Sequence, residues 1–197
     1  MDFNTYLLQF DEILNNPNPS APYNDPAFME FTKLNRARLN RWLKQGTIHA
    51  ELEAHIKGIN KTQSWIIITE PWCGDAAHIV PFIHLITKLN PLIHANYELR
   101  DAPPFRIEKY LTHGSKSIPI LIVQDEKGND IFHWGSRPEP ANKLYDELKK
   151  KGTPIDEIKI ELQNWYNANK GMALQQELMA LPGVPNTHPE YSNAIPK

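Results

Sequence analysis

Cys73 is the only cysteine in the 197-residue chain. It follows an apolar, β-branched run, Ile66-Ile67-Ile68-Thr69, by way of Glu70-Pro71-Trp72, and Gly74, Asp75 and Ala76 come after it. The pattern predicts a strand, then a thiol at a helix N-terminus, then the helix itself. A thiol placed there is a candidate nucleophile, because unpaired N–H groups and the helix dipole stabilise its thiolate and lower its pKa. Asp75 sets a negative charge two residues on and offsets part of that effect. The expectation is a partly exposed, activated Cys73. Pro71 and Trp72 would lay an apolar surface beside the sulfur, fit to receive a partner peptide or simply to pack over the helix end. Histidines raise the question of a metal. The pairs His49/His55 and His78/His84 are each spaced i, i+6, on opposed helix faces, and neither an HExxH motif nor a second cysteine is present. No metal site is expected.

Further features share one pattern with Cys73. Pro81 lies eight positions after it, preceded by Ile79-Val80. Ser117-Ile118-Pro119 leads into Ile120-Leu121-Ile122-Val123, and Gly135 ends the next β-type run. With these spacings the segment resembles the thioredoxin active site, over roughly residues 60–151. Trp72-Cys73-Gly74-Asp75, taken with Tyr110 to Pro119, is more similar still to a bacterial subgroup of thioredoxin-like proteins with helical extensions. The resemblance implies a helix-kinking Pro81, a cis peptide between Ile118 and Pro119, and an Ile118 backbone edge on which a substrate strand can pair. It also implies that Lys116 faces the thiol as a candidate electrostatic modulator. Catalysis would fall to Cys73, and substrate binding to Pro71, Trp72, Gly74, Asp75, Ile118 and Pro119.

Two departures from that family decide the chemistry. Ala76 stands where a Cys-x-x-Cys site carries its second thiol, and Ile67 stands where thioredoxins bury an aspartate that deprotonates that thiol. A buried carboxylate is costly without work to do, so the two losses support each other. A peroxiredoxin-type site wants a threonine three residues before the cysteine, and Glu70 is there. The resemblance therefore implies a monothiol thiol-disulfide oxidoreductase, acting on a protein or small-thiol disulfide through a mixed disulfide on Cys73. It needs no bound cofactor, and an external low-molecular-weight thiol is the co-substrate. The glutaredoxin-type Gly-Gly-x-Asp segment for glutathione is not seen; Trp134-Gly135-Ser136-Arg137 stands after the last strand. The alternative is a catalytically degenerate binding module that holds a partner protein on the cis-proline edge.

Composition bounds these readings. Apolar residues at 41% suffice for a core, and a formal net charge of −2 gives nucleic acid no electrostatic footprint. Lys149-Lys150-Lys151 reads as a solvated helix end. No apolar stretch approaches a membrane span, and Met1-Asp2-Phe3-Asn4 carries no sign of a signal peptide. One unpaired thiol then suggests the cytoplasm. Oligomeric state has no signature.

The elements that must position Cys73 are an α/β set. A helical extension over 1–60 holds helices at 2–15, 26–45 and 48–59, the second with Phe28, Phe31, Leu39, Trp42 and Leu43 inward. A thioredoxin-like domain over 61–151 follows: strand 64–69, helix 73–89, strand 95–100, helix 104–113, strands 119–124 and 129–134, and helix 139–151. That order, βαβ then ββα, predicts a mixed four-stranded sheet between helices. A final region, 152–197, holds a helix over 154–180 with a break at Gly171, and then an extended tail rich in proline.

Overall fold

The computed structural model describes residues 1–181; the proline-rich tail expected after that lies outside the described residues. Four strands form one sheet in the order β2-β1-β3-β4, from β1 (Gln63–Thr69), β2 (Ile93–Leu99), β3 (Ile120–Gln124) and β4 (Asp130–Gly135). β1 runs parallel to β2 and antiparallel to β3, and β3 pairs antiparallel with β4. β1 and β3 are central and covered on both sides, which explains their near-continuous apolar runs. Among the described residues the helices are α1 (Phe3–Asn15), α2 (Pro26–Gln45), α3 (Ala50–Lys57), α4 (Gly74–Thr87), α5 (Glu139–Lys150), α6 (Ile155–Asn169) and α7 (Met172–Met179).

Local chemistry sets the helix starts. Asp2 accepts from Thr5 N–H at 2.7 Å ahead of α1, and Asp25 accepts from Ala27 N–H at 2.8 Å with Pro26 opening α2. α4 carries Pro81 inside it and is buried along most of its length, with Ile79, Val80, Phe82 and Ile83 essentially inaccessible. The helix expected over 104–113 reduces to a short 3-10 turn at Arg106–Lys109. Phe105 before it and His113 after it hold left-handed backbone, which no α-helix continues through. The break expected at Gly171 is real. Lys170 and Gly171 are both left-handed, and a Cβ on Gly171 would stand 2.7 Å from the Phe82 ring. The chain therefore turns there and α7 folds back. Its Gln175 bonds Thr47 and His49 of the N-terminal region, while Glu177 takes Trp134 Nε1 and Glu139 N–H, each at 2.7 Å.

Candidate functional site

The site forms where β1 ends. Glu70-Pro71-Trp72 turns the chain, Cys73 N–H donates to the Glu70 carbonyl at 3.1 Å, and Cys73 becomes the N-cap of α4. Its sulfur accepts from Ala76 N–H at 3.4 Å and donates to the Ile118 carbonyl at 3.4 Å. The Ile118–Pro119 peptide is cis. Gly135 lies against this segment at φ 137°, and a Cβ there would collide with the Pro119 carbonyl oxygen, so only glycine fits. Ala76 is 1% exposed and Ile67 is wholly buried in β1, opposite Tyr97 and Leu121.

Exposure and charge differ from the expectation for Cys73. The residue is 7% exposed, and its thiol is pushed up to about 12 by burial first and by the Asp75 charge second. The helix-start N–H groups and the Arg137 guanidinium lower it only in part. A partly exposed, activated thiol is thus replaced by a buried, protonated one. The residue lines a pocket whose walls are α2 and α6. Lys116 does not serve as the nearby cation either. It pairs with Glu108 at 3.2 Å on the exposed loop, and the positive charge beside the thiol belongs to Arg137.

Asp75 is fully engaged. Tyr166 of α6 donates to one carboxylate oxygen at 2.8 Å, and Arg137 bonds the other at 2.7 Å while stacking 4.6 Å over Tyr145. The Pro71–Trp72 surface is engaged as well, by the chain's own α2. Asn35 donates to the Pro71 carbonyl at 3.0 Å, Phe28 meets Trp72 edge-on at 5.8 Å, and Arg100 lies 4.7 Å above the other part of that indole. Pro119 is buried, while Gly74 is exposed.

What remains beside the sulfur is a pocket of about 530 Å³. α2 contributes Phe28, Phe31 and Arg38; α6 contributes Ile158, Leu162 and Tyr166; Trp72, Cys73 and Asp75 lie between. Phe31 was expected to point inward, yet it is 36% exposed and serves as wall, with Lys159 of α6 4.6 Å over its ring. His78 is a tie between the two walls. Trp42 Nε1 donates to its Nδ1 at 2.8 Å, Nε2 faces Gln163 Oε1 at 3.1 Å, and its ring stacks on Tyr166 at 4.7 Å. Burial pushes it down to about 3, so it stays neutral. Because Nδ1 accepts, Nε2 carries the proton and donates to Gln163. On the far side of Trp72, Glu70 is buried and pushed up to about 7 by that burial, although Asp101 N–H donates to it at 3.2 Å. Among the described residues no group of three or more histidine, cysteine or acidic side chains could hold a metal.

Arg38, Arg137 and Tyr166 were missed as site residues. Tyr166 sits in an apolar helical pattern that conceals it, and the two arginines have no sequence signal apart from the fold that gathers them.

The thioredoxin family model matches residues 23–149, well over half of the chain. The chain belongs to the thioredoxin family. This thioredoxin-family match begins before α2, so the helix that walls the pocket lies within it. Among solved structures, an HIV epitope scaffold superposes with a TM-score of 0.50 at 15% identity, over 73% of this chain and 92% of that one. A Pseudomonas aeruginosa protein of unknown function gives 0.48 at 14% identity, over 87% and 99%. At 15% identity the scaffold shows a shared fold alone. No curated protein matches the chain.

Proposed function

We propose that this thioredoxin-family chain is a binding module in which the former redox position has become the floor of a ligand pocket. The observation that carries the reading is the placement of Cys73: it lines a cavity of about 530 Å³ walled by α2 and α6, yet its thiol is buried and rests protonated. A cavity of this size falls within the range that holds small organic ligands. The alternative for such a fold, a partner strand on the Ile118 edge, is less favoured, since α2 already packs on Pro71 and Trp72. A reducing compartment such as the cytoplasm suits the single unpaired thiol.

Alkylation of Cys73 by iodoacetamide tests this directly. The native protein should react at least about a hundredfold more slowly than a free cysteine at pH 8, with the rate rising about tenfold per pH unit. Denaturant should abolish the difference. A fast, pH-flat reaction near neutrality overturns the binding reading in favour of an oxidoreductase.

One observation favours that second reading: Ala76 N–H already points at the sulfur, a donor that a thiolate would use. In monothiol exchange the Cys73 thiolate attacks one sulfur of a disulfide RSSR′, forming protein–S–S–R and releasing R′S⁻, which takes the proton Cys73 lost. An external thiol R″SH then attacks the mixed disulfide, giving RSSR″ and returning Cys73 as a thiol. A mixed disulfide trapped at neutral pH, formed faster than on a free cysteine, is the signature of this route.

A further inference from the structure

We propose that the pocket beside Cys73 binds an organic monocarboxylate, with its carboxylate on Arg38 and its apolar body between α2 and α6. This rests on the pocket-binding reading and adds the chemistry of the occupant. Arg38 lines the cavity, and its one hydrogen-bond acceptor among the described residues is Asn35 Oδ1, at 2.9 Å. A guanidinium offers five N–H donors, and its planar fork matches a carboxylate. Among the described residues no acidic side chain pairs with Arg38, nor with Arg41 one turn further along α2.

The surroundings deepen that imbalance. Burial and the neighbouring Arg41 both push the Arg38 pKa down, as for a cation held without its counter-ion. Among the described residues Asp75 is the only acidic one lining the cavity, and Arg137 and Tyr166 already occupy both its oxygens. Lys159 is satisfied by Asp156 at 2.8 Å. Arg41 and Arg137 each carry a buried Nε with no acceptor among the described residues. His78 is held neutral by burial and adds no charge of its own. The wall is otherwise aromatic and aliphatic, through Phe28, Phe31, Ile158 and Leu162. A multiply charged or sugar-like ligand would leave polar groups against that wall without partners, which is costly. One anionic head on an apolar body satisfies both halves.

Titration calorimetry on the full chain with decanoate, decanol and decylamine tests the assignment. Decanoate should bind saturably, one per chain, and at least about tenfold more tightly than decanol, as expected for a charge-assisted bond. Decylamine should not bind. Arg38→Gln should bring decanoate down to the affinity of decanol, Arg38→Lys should retain part of the difference, and Leu162→Trp should block both ligands by filling the cavity. Circular dichroism checks that each variant is folded. If decanol binds as tightly as decanoate and both Arg38 variants change nothing, while Leu162→Trp still blocks, the carboxylate assignment falls and the pocket stands. If none of the probes binds, or if Leu162→Trp leaves binding intact, the pocket reading falls with it.

Discussion

α4 is covered by helical extensions on two sides, and the two sides are built differently. Toward α1 and β2 aromatic rings pack on one another, with Tyr6 stacked on Tyr97 at 5.6 Å, Phe3 on His84 at 3.7 Å, and Phe10 edge-on to Tyr6 at 5.3 Å, and a cavity of about 570 Å³ lies beside Phe3, His84 and Tyr97. Polar atoms there pair with neutral partners, Tyr6 with Thr69 at 3.1 Å and His84 with Tyr97 at 3.3 Å. Toward α2 and α6 there are also aromatic rings around a cavity, but they stand among arginines, with one carboxylate. On the first face Tyr6 and Phe10 are buried and extend the core. The second is a frame. Two additions to the same fold thus serve different ends, and charge left without a partner tells them apart.

Truncations on the two faces should break the comparison if it is wrong. Phe10 is 1% exposed, so Phe10→Ala should cost about 3–5 kcal/mol in a urea titration. Phe31→Ala on the frame should stay within about 0.5 kcal/mol, since that ring borders a cavity already open. Equal losses would mean that both faces are core.

The charges of the frame sharpen it further. Arg137→Leu leaves the Asp75 carboxylate without its cation in a largely buried place and should destabilise the fold by about 1–3 kcal/mol. The same change should slow Cys73 alkylation further, because Arg137 is the cation that lowers the thiol. Asp75→Asn should do the opposite and speed alkylation. If the two variants moved the rate in the same direction, their assigned electrostatic roles would be wrong.

Glu70 gives a pH-dependent effect of similar or smaller size. Its folded pKa, about 7, lies above its ordinary value of 4.5. Its contribution is therefore fully present below about pH 4.5 and is lost as pH rises through 7. Glu70→Gln should raise stability by about 1–3 kcal/mol above pH 7 and leave it unchanged in acid. His78 acts in the other direction. Its folded pKa, about 3, lies below its ordinary value of 6.5, so stability is full above that pH and falls as acid protonates the unfolded chain. Denaturation midpoints across pH 4 to 9 check both. The smallest effect expected is none: Lys116→Ala, on an exposed pair with Glu108, should leave Cys73 alkylation unchanged.

Much of the fold was legible because it is written in local signals. The β-branched runs of β1 and β3, the kink residue Pro81 and the left-handed Gly171 each act on their own neighbours. The stretch after Pro103-Pro104 misled, because its helical composition is overridden by the backbone at Phe105 and His113. The position of Cys73 at a helix start was legible too, but its environment was not. Whether a thiol at an N-cap is activated depends on its surroundings, and the pocket that Cys73 lines is shared with Phe28 and Leu162, far away in sequence on either side. Lys116 was chosen as the nearby cation by loop proximity, whereas Arg137 reaches the site through its pair with Asp75.

The split origin of the pocket walls also orders events in time. α2 is made before Cys73, and the sheet is complete at Gly135, but α6 begins only at Ile155. Ribosomes add about 5–20 residues per second, so a growing chain is expected to spend seconds with its thiol shielded on one flank and bare on the other. Newly made copies are then the ones an oxidant can mark. A finished copy has shut the door behind it.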